Sequence, residues 1–261
     1  MLKIAILYIC TGKYDVFWKE FYCSCEQYFL PNSNKKYFVF TDSKELYDEK
    51  NNDKIIKIYQ EKLGWPYDTL MRFDLFSRIE NELKKFDYIF FLNANVVFLK
   101  TVEESSLFNN NNDLFVVMHP GWIKRSKYLL PYERNRKSKA YIPFGKGDKY
   151  FMGGFNGGTS KAYLKLINTL KNNVQTDLEN NIIAKWHDES HLNKYMLEYE
   201  DYKILPPSFG YPENWILPYE PIVLIRDKDK VFNTSNIKGY KTIWVQFKKK
   251  VRGCLNRLFH R

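Results

Sequence analysis

The hydrophobic residues of this chain fall into short continuous runs that alternate with segments of helical spacing. The runs predict strands at Ile4–Ile9, Tyr37–Thr41, Lys54–Tyr59, Asp87–Leu92 and Leu114–Met118. Apolar residues at three- and four-residue steps predict helices over Val16–Phe29, Asp74–Leu83, Ser160–Leu170 and Ala184–Leu197. Strands that alternate with helices are typical of an α/β domain, in which helices cover the faces of a central sheet.

Ligands of such domains bind beyond the carboxyl ends of the strands, so we expect a site in the loops after Ile9 and Leu92. Residues 124–149 are rich in tyrosine, proline and charge without periodicity, which favours a functional loop. The run Gly153–Gly158 has four glycines in six residues, and bare backbone there can lie close to a ligand or a packing partner.

The composition indicates a folded protein whose excess of charge is local. Of the 261 residues 44% are hydrophobic and 27% are charged, which is enough apolar surface for a core. The formal charge is +11, but residues 238–261 contain eight Lys and Arg and no acidic residue. The preceding 237 residues carry a net charge of only +3. This near balance argues against a nucleic acid as partner.

Cysteine usage and the N-terminal segment predict a cytoplasmic protein. Cys10, Cys23, Cys25 and Cys254 are scattered, which favours free thiols in a reducing compartment over a disulfide framework or a zinc site. The first apolar run has about seven residues, whereas a helix that spans a membrane needs about 20. It is also too short for a signal peptide.

The basic segment 238–261 has a pattern of its own, and we separate it as a tail from a domain formed by residues 1–237. Apolar residues recur at three- and four-residue steps from Ile243 to Phe259, which predicts an amphipathic helix. Two interpretations stand: the helix packs on the domain, or it binds the anionic inner face of a membrane peripherally. We expect the second, because Gly253 interrupts the helix and no acidic residue follows Asn236.

The densest cluster of titratable groups is the string Trp186-His-Asp-Glu-Ser-His191. Two histidines at positions i and i+4 share a helix face, as in zinc proteases, but Asp188 stands where that motif needs glutamate and no third ligand is evident. A structural helix N-terminus and a catalytic carboxylate are the other interpretations. Glu189 is the better candidate for catalysis, because a carboxylate on a rigid helix can stabilise positive charge or attack a sugar carbon.

Two further motifs also have both a structural and a functional interpretation. Asn93-Ala94-Asn95 follows a strand and is either a turn, since asparagine tolerates left-handed geometry, or part of a ligand site. His119 before Pro120 is either a loop histidine with satisfied hydrogen bonds or a site residue.

Together these motifs resemble glycosyltransferase family 6, the family of the blood-group A and B transferases and of α-1,3-galactosyltransferase. The matching strings lie between Lys3 and Lys230: Tyr37-Phe-Val-Phe-Thr-Asp42, Met71-Arg72, Asp87-Tyr88, His119-Pro-Gly121, Tyr132-Glu-Arg134, Ala140-Tyr-Ile-Pro143, Gly147-Asp148, Gly153-Gly-Phe-Asn-Gly-Gly158 and Trp186-His-Asp-Glu-Ser-His-Leu-Asn-Lys-Tyr195. The resemblance implies a single α/β domain of the GT-A type, with a mixed central sheet flanked by helices. It also implies a retaining enzyme that moves galactose or N-acetylgalactosamine from UDP to the 3-hydroxyl of an acceptor galactose.

The resemblance assigns roles to individual residues. Glu189 matches the family's catalytic glutamate, Asp188 a residue that holds hydroxyls of the donor sugar, and His119 and Trp186 positions of the acceptor site. The remaining donor-binding positions are Ile9, Cys10, Thr11 and Tyr14 at the uridine, Arg72, Asn93 and Asn95 at the donor, Met152, Gly153 and Gly154 at the sugar, and Arg226, Lys228 and Lys230 at the diphosphate.

One difference from the family concerns metal. The family binds manganese through an Asp-x-Asp motif, and here the matching residues are Asn93 and Asn95, neutral amides that replace two negative ligands of a hard cation. Lysine and arginine can neutralise a leaving diphosphate instead. We therefore expect a transferase that needs neither metal nor another cofactor.

The donor and acceptor expected from the resemblance are UDP-N-acetylgalactosamine and a fucosylated galactose. Gly154 has no Cβ and leaves room for the acetamido group, as in users of N-acetylgalactosamine, whereas Met152 resembles users of galactose. The alternatives are a transferase that uses UDP-galactose and a catalytically inactive relative that binds a glycan or a nucleotide sugar.

Overall fold

The computed structural model describes residues 1–108 and 112–232. The tail 238–261 lies outside the described residues, so its two interpretations stay predictions. Within the two described ranges, each helix is too short or too polar to cross a lipid bilayer.

Strands of the described residues form two sheets. They are β1 (Lys3–Ile9), β2 (Asn34–Thr41), β3 (Ile55–Tyr59), β4 (Tyr88–Leu92), β5 (Val96–Phe98), β6 (Leu114–Met118), β7 (Phe151–Thr159), β8 (Tyr202–Leu205), β9 (Tyr211–Pro212) and β10 (Val223–Ile225). The central sheet has the order β3-β2-β1-β4-β7-β6-β8, and β5, β10 and β9 form a small second sheet.

The central sheet is mixed. Strands β3, β2, β1 and β4 are parallel, and β7 runs antiparallel to both of its neighbours, β4 and β6. The outer strand β8 is parallel to β6. A mixed sheet flanked by helices confirms the α/β fold of the GT-A type expected above.

The helices are α1 (Trp18–Tyr28), α2 (Tyr67–Leu70), α3 (Arg72–Ser77), α4 (Glu80–Leu83), α5 (Glu104–Leu107), α6 (Ser160–Glu179), α7 (His187–Glu198) and α8 (Lys228–Val231). One predicted helix is divided into α3 and α4, and α6 is longer than predicted. The helix predicted over Asp74–Leu83 is broken at Ile79, whose φ of −113° and ψ of 20° leave the helical region. Helix α6 continues for nine residues beyond the predicted end at Leu170, because Val174 extends its buried face.

Both faces of the central sheet are buried, as parallel strands require. Along β1 the side chains of Ile4, Ile6 and Tyr8 pack with Trp18 and other residues of α1. The intervening side chains of β1 pack on the opposite face with residues of α3, α6 and α7. The continuous apolar run of β1 therefore reflects two half-cores separated by one sheet.

Hydrogen bonds between neighbouring loops fix the carboxyl ends of the parallel strands. Thr41 Oγ1 donates to the Cys10 carbonyl at 2.7 Å, and the Gly12 backbone N–H donates to Asp42 Oδ1 at 2.7 Å. Gly12 has a φ of +60°, a conformation that glycine adopts without strain. At the end of β4, the Asn93 N–H donates to the Gly154 carbonyl at 2.9 Å. The loop after Ile9 is therefore fixed to the end of β2, and the loop after Leu92 is fixed to β7.

The glycine run forms the middle of β7 and is needed for packing at one end. A Cβ on Gly157 would lie 2.3 Å from the Phe90 ring, and a Cβ on Gly158 would lie 2.4 Å from the Asp113 carbonyl oxygen. These positions exclude any larger residue. At the other end, a Cβ on Gly153 would approach Asp188 Oδ2 to 2.9 Å, so the backbone there lies close to side chains of α7.

Candidate active site

A cavity of about 270 Å³ opens beyond the carboxyl ends of β1 and β4, where the sequence predicted a site. We call it the strand-end cavity. It is lined by Ile9, Thr11, Tyr14, Lys62, Trp65, Asp68, Thr69, Arg72, Phe91, Asn93, Ala94, Trp186, His187 and Lys228. Seven of these residues were assigned to the donor or acceptor site from the resemblance, and the structure brings them to one place.

A second cavity of about 540 Å³, which we call the aromatic cavity, shares Trp186 with the first. It is lined by His119, Gly121, Trp122, Arg125, Leu129, Pro131, Trp186, Glu189 and Trp215. Three tryptophans and one carboxylate therefore surround a space large enough for sugar rings, and pockets of this kind typically combine aromatic walls with a few polar groups. The predicted acceptor residues His119 and Trp186 both lie here.

Helix α7 presents its first two acidic residues to β7. The helix begins at His187, which has a φ of +50°, and Asp188 and Glu189 occupy its first turn. Glu189 Oε2 accepts a hydrogen bond of 2.7 Å from the Gly153 N–H. A carboxylate in the first turn is also stabilised by the helix dipole. The Glu189 carboxylate is therefore held at the edge of the aromatic cavity by the backbone of the glycine run.

Arg72 connects these groups into one buried network. Its Nη1 lies 3.1 Å from Asp188 Oδ2 and donates to the Gly153 carbonyl at 3.0 Å. The guanidinium also lies over the Phe91 ring, 4.4 Å from the ring centroid. Because Arg72 and Asp188 are both almost fully buried, each depends on the other to compensate its charge.

Burial shifts the titration of both carboxylates toward neutral pH. It raises the pKa of Asp188 to about 7, although the neighbouring Arg72 acts in the opposite direction. Burial also raises the pKa of Glu189, partly offset by the hydrogen bond from Gly153. Perturbed carboxylates in a cleft are typical of functional sites. The charged form of the pair is gained only as the pH rises above the range of ordinary carboxylates.

The two asparagines that replace Asp-x-Asp have different environments. Asn93 lines the strand-end cavity, whereas Asn95 is buried and donates through Nδ2 to the Arg226 carbonyl at 2.6 Å. Asn95 Oδ1 has no hydrogen-bond partner among the described residues, and Asn95 lines a separate cavity together with Arg226 and Lys228. Asn93 has the position expected of a residue of the donor site. Two neutral amides, one already bonded to backbone, are a poor fit to a hard divalent cation.

A zinc site on α7 finds no support in residues 1–108 and 112–232. His187 lines the strand-end cavity, while His191 is buried with Nε2 3.6 Å from Asp177 Oδ2. In these ranges no three His, Cys, Asp or Glu side chains converge as metal ligands. The described residues therefore offer no third ligand that would complete a zinc site with these two histidines.

The three basic residues predicted at the diphosphate are placed differently. Lys228 lines the strand-end cavity, and its ammonium lies 5.0 Å from the centroid of the Tyr14 ring. Arg226 forms ion pairs with Glu20 and Glu213, and Lys230 pairs with Glu213 at 3.2 Å. Of the three, the structure brings Lys228 to the cavity and fixes the other two in a neighbouring network of charges.

Several predicted residues lie behind the cavity walls. The Cys10 side chain is fully buried in the core and does not reach the strand-end cavity. Met152 and Gly154 lie next to Asn93: a Cβ on Gly154 would be 3.3 Å from Asn93 Nδ2 and 3.3 Å from Met152 Cε.

In the aromatic cavity, His119 accepts a hydrogen bond from the Gly121 N–H, and burial lowers its pKa to about 4. His119 is therefore neutral at physiological pH.

The sequence analysis missed several residues that complete the walls. They are Lys62, Trp65, Asp68 and Thr69 in the strand-end cavity and Trp122, Arg125 and Trp215 in the aromatic cavity. His187 was considered only as a zinc ligand or as part of a helix N-terminus, and it lines the strand-end cavity. His187 contacts the edge of the Trp65 ring, with ring centroids 5.0 Å apart. The one signal for these residues was the presence of tryptophan in segments without periodicity, since exposed aromatic residues of loops often bind ligands.

Comparison with known proteins agrees with this geometry. The O-antigen biosynthesis glycosyltransferase WbnI of Escherichia coli is 39% identical over 238 residues, which is 91% of this chain and 100% of that protein. The globoside alpha-1,3-N-acetylgalactosaminyltransferase 1 of Gallus gallus is 30% identical over 234 residues, 86% of this chain and 66% of that protein. The histo-blood group ABO system transferase 2 of Rattus norvegicus is 30% identical over 216 residues, 80% of this chain and 64% of that protein.

The chain thus spans about two thirds of these two vertebrate relatives and the full length of the bacterial one. The model of the family described as Glycosyltransferase family 6 matches residues 1–232. That range contains both cavities and the carboxylates between them. The chain belongs to glycosyltransferase family 6 and is a nucleotide-sugar-dependent glycosyltransferase.

Proposed function

We propose that this chain transfers N-acetylgalactosamine from UDP to the 3-hydroxyl of a galactose, with retention of anomeric configuration and without a metal ion. The observation that supports it most directly is the placement of Glu189 and Trp186. Trp186 borders both cavities, and Glu189 lies on the wall of the aromatic cavity while bonded to the glycine run. A donor in the strand-end cavity and an acceptor in the aromatic cavity would meet there.

In this mechanism the bond between the anomeric carbon and the diphosphate oxygen breaks, and positive charge develops on the sugar ring. The Glu189 carboxylate stabilises that charge, either as nucleophile or as ion-pair partner. The acceptor hydroxyl then forms the new bond at the anomeric carbon on the face that the diphosphate leaves, and its proton passes to the departing diphosphate. Asp188, held by Arg72, binds hydroxyl groups of the donor sugar.

The leaving diphosphate needs positive charge, and Lys228 is the residue we assign to it. We expect activity to persist in excess chelator and added manganese to change it little, because Asn93 and Asn95 supply no negative ligand. Lys228→Ala should lower kcat about ten- to hundredfold, since a hydrogen bond to a charged group contributes about 1.5–3 kcal/mol. The loss should exceed the rise in KM, because charge on the leaving group grows toward the transition state.

Lys230→Ala is the matched control for Lys228→Ala, since Lys230 carries the same charge on the same helix but is not part of the lining of the strand-end cavity. Initial rates of sugar transfer, with and without chelator, give both comparisons. Activity that disappears with chelator and returns with manganese would contradict the metal-free mechanism. An equal loss in the two lysine variants would contradict the assignment of Lys228.

The choice of N-acetylgalactosamine rests on Gly154. Gly154→Ala should lower the ratio of kcat/KM for UDP-N-acetylgalactosamine to that for UDP-galactose, because the new methyl group would lie 3.3 Å from Asn93 Nδ2 and occupy space near the donor. Rates with both donors on one acceptor provide the ratio, which is insensitive to the fraction of folded enzyme. An unchanged ratio would refute the steric argument. Met152 favours galactose, so transfer from UDP-galactose is the second candidate function.

The acceptor we propose is a galactose that carries fucose. The support comes from relatives named as histo-blood group ABO transferases, together with the three tryptophans of the aromatic cavity. A panel of galactosides with and without fucose, assayed with one donor, tests this choice. Equal rates for the two groups of acceptors would remove fucose from the proposal and leave the transfer to galactose in place.

A further inference from the structure

The near balance of charge in residues 1–237 conceals a strongly basic region, residues 124–149, which we call the acceptor-side segment. It contains nine Lys and Arg and two acidic residues, a net charge of +7 that leaves −4 for the rest of residues 1–237. The basic residues are Lys124, Arg125, Lys127, Arg134, Arg136, Lys137, Lys139, Lys146 and Lys149. Part of this segment, from Arg125 to Pro131, borders the aromatic cavity.

The fold does not neutralise these charges. Across residues 1–108 and 112–232, none of the nine forms an ion pair with an acidic side chain, whereas Lys171 and Arg226 elsewhere do. Of the two acidic residues in the segment, Glu133 is buried, and its two oxygens accept the backbone N–H groups of Asn135 at 2.7 Å and Lys185 at 2.6 Å. Arg134 is the exception that turns inward, because its Nη1 donates to the carbonyls of Ile142 and Pro143. Within the described residues, the positive charge of the segment is therefore not balanced by acidic side chains.

The segment is also fixed in place relative to the carboxylates of α7. Asp177, on α6, accepts hydrogen bonds from Ser138 Oγ at 2.5 Å and from the Lys139 N–H at 2.7 Å. The bond from Lys185 to Glu133 joins the segment to the chain just before α7, which carries Glu189. Charges held in this way are positioned before a ligand arrives, which reduces the entropic cost of binding.

Arg125 is the member of the segment that lines the aromatic cavity together with Glu189 and Trp186. It is only partly exposed, and its guanidinium makes no hydrogen bond or ion pair with any residue that the structure describes. Lys124 and Lys127 flank it and are exposed. A guanidinium presents donors in a planar fork that matches a carboxylate or a phosphate.

We infer that the acceptor carries an oxyanion close to its galactose, as the carboxylate of an acidic sugar or as a phosphate, and that Arg125 binds it. This inference rests on the proposed function, because it adds a group to the acceptor of that transfer. The position of Arg125 inside a cavity, beside Glu189, favours a small anionic group on the acceptor over an extended polyanion on the open surface.

Three matched acceptors, each with the fucosylated galactose of the proposed function, test the inference: a neutral galactoside, the same galactoside joined to a uronic acid, and the same galactoside with a phosphate at its reducing end. For wild type we expect kcat/KM to be at least about tenfold higher for one anionic acceptor than for the neutral one, the effect of one charge-assisted hydrogen bond. The preference should fall as salt is raised, because ions screen a partly exposed pair. The better of the two anionic acceptors identifies the source of the oxyanion.

Variants of Arg125 show whether this residue carries the preference. Arg125→Gln should lower the ratio of anionic to neutral kcat/KM about tenfold or more, and Arg125→Lys should retain part of it, because the charge remains but the fork is lost. Lys165→Gln, on the exposed face of α6, is the control and should keep the wild-type ratio. Thermal unfolding of the variants shows whether they fold equally well. The ratio of anionic to neutral kcat/KM does not depend on small differences in the fraction of folded enzyme.

The outcomes separate the inference from the function on which it rests. Transfer to all three acceptors with equal efficiency, or an unchanged ratio in Arg125→Gln, would overturn the inference and leave the proposed transfer to galactose intact. Failure of all three galactosides, in an enzyme that binds UDP-N-acetylgalactosamine, would overturn the proposed acceptor and the inference together.

Discussion

Glu189→Gln should lower kcat by two or more orders of magnitude, about 3 kcal/mol of activation free energy. Glutamine keeps the shape of the side chain, and its carbonyl oxygen can still accept the hydrogen bond that Gly153 donates to Glu189 Oε2. The substitution therefore removes negative charge while leaving the contact with β7. If that charge stabilises the developing oxocarbenium ion, the loss falls on the transition state, and binding of the UDP-sugar survives.

Initial rates of sugar transfer, combined with calorimetric titration of UDP-sugar, distinguish these effects. Glu198→Gln on the same helix is the control, since Glu198 is exposed and pairs with Lys194 at the far end of the helix. We expect that variant to retain wild-type rates. Near-normal transfer by Glu189→Gln would remove Glu189 from the mechanism. Loss of donor binding together with kcat would instead show that the carboxylate holds the donor in the ground state.

Arg72→Met should destabilise the protein by about 3–5 kcal/mol and abolish transfer, because removing one partner of a buried ion pair leaves the other charge uncompensated. Arg72 Nη1 contacts both Asp188 Oδ2 and the Gly153 carbonyl. The substitution therefore removes the hydrogen-bond donor of the Asp188 carboxylate and of the Gly153 carbonyl together. Methionine fills much of the same volume over the Phe91 ring, which limits the contribution of a cavity. Urea denaturation at neutral pH measures the change in the free energy of unfolding.

The double variant Arg72→Met/Asp188→Asn separates charge from packing. Removing both charges should restore most of the lost stability, while transfer stays abolished because the donor has lost its partners. Arg78→Met is a control at an exposed arginine that pairs with Asp74, and we expect it to change stability by less than about 1 kcal/mol. Wild-type stability of Arg72→Met, or no recovery in the double variant, would contradict the role of the ion pair.

Strands with continuous apolar runs could be predicted from the sequence, and β7 could not. Burial on both faces of the sheet demands apolar residues at every position of β1 and β4, which gives a strong signal. In β7 close packing against Phe90 and the backbone near Asp113 demands glycine instead, and glycine carries no hydrophobic pattern. Close packing of β7 against its neighbours therefore removes the hydrophobic pattern by which a strand is recognised in a sequence.

The predicted helix bounds were wrong where side-chain hydrogen bonds or polar residues interrupt the periodic spacing of apolar residues. Between α3 and α4 the Ser77 hydroxyl donates to the Asp74 carbonyl at 2.7 Å, and the chain leaves the helical region at Ile79. Side-chain bonds of this kind offer the backbone an alternative to a regular helix. Polar residues such as Lys171 dilute the pattern of α6 after Leu170, although Val174 continues its buried face.

The site was predictable where the chemistry lies in a compact motif and not where it is assembled from loops. Asp188 and Glu189 stand out because adjacent carboxylates begin a helix. Trp215 and Arg125 come from distant loops, and only the folded chain brings them into one cavity with Glu189. Their contribution depends on long-range contacts that no local pattern encodes.

The two ends of strand β7 differ in the substitutions that they tolerate. At Met152 and Gly154 the strand lies next to Asn93, and a methyl group added at Gly154 would require its neighbours to move by only a few tenths of an ångström. Four residues further on, at Gly158, the same addition collides with rigid backbone. If the donor sugar lies beside Gly154, as proposed, a single substitution there can change the choice of donor with little disturbance of the sheet, whereas Gly158 admits no larger residue.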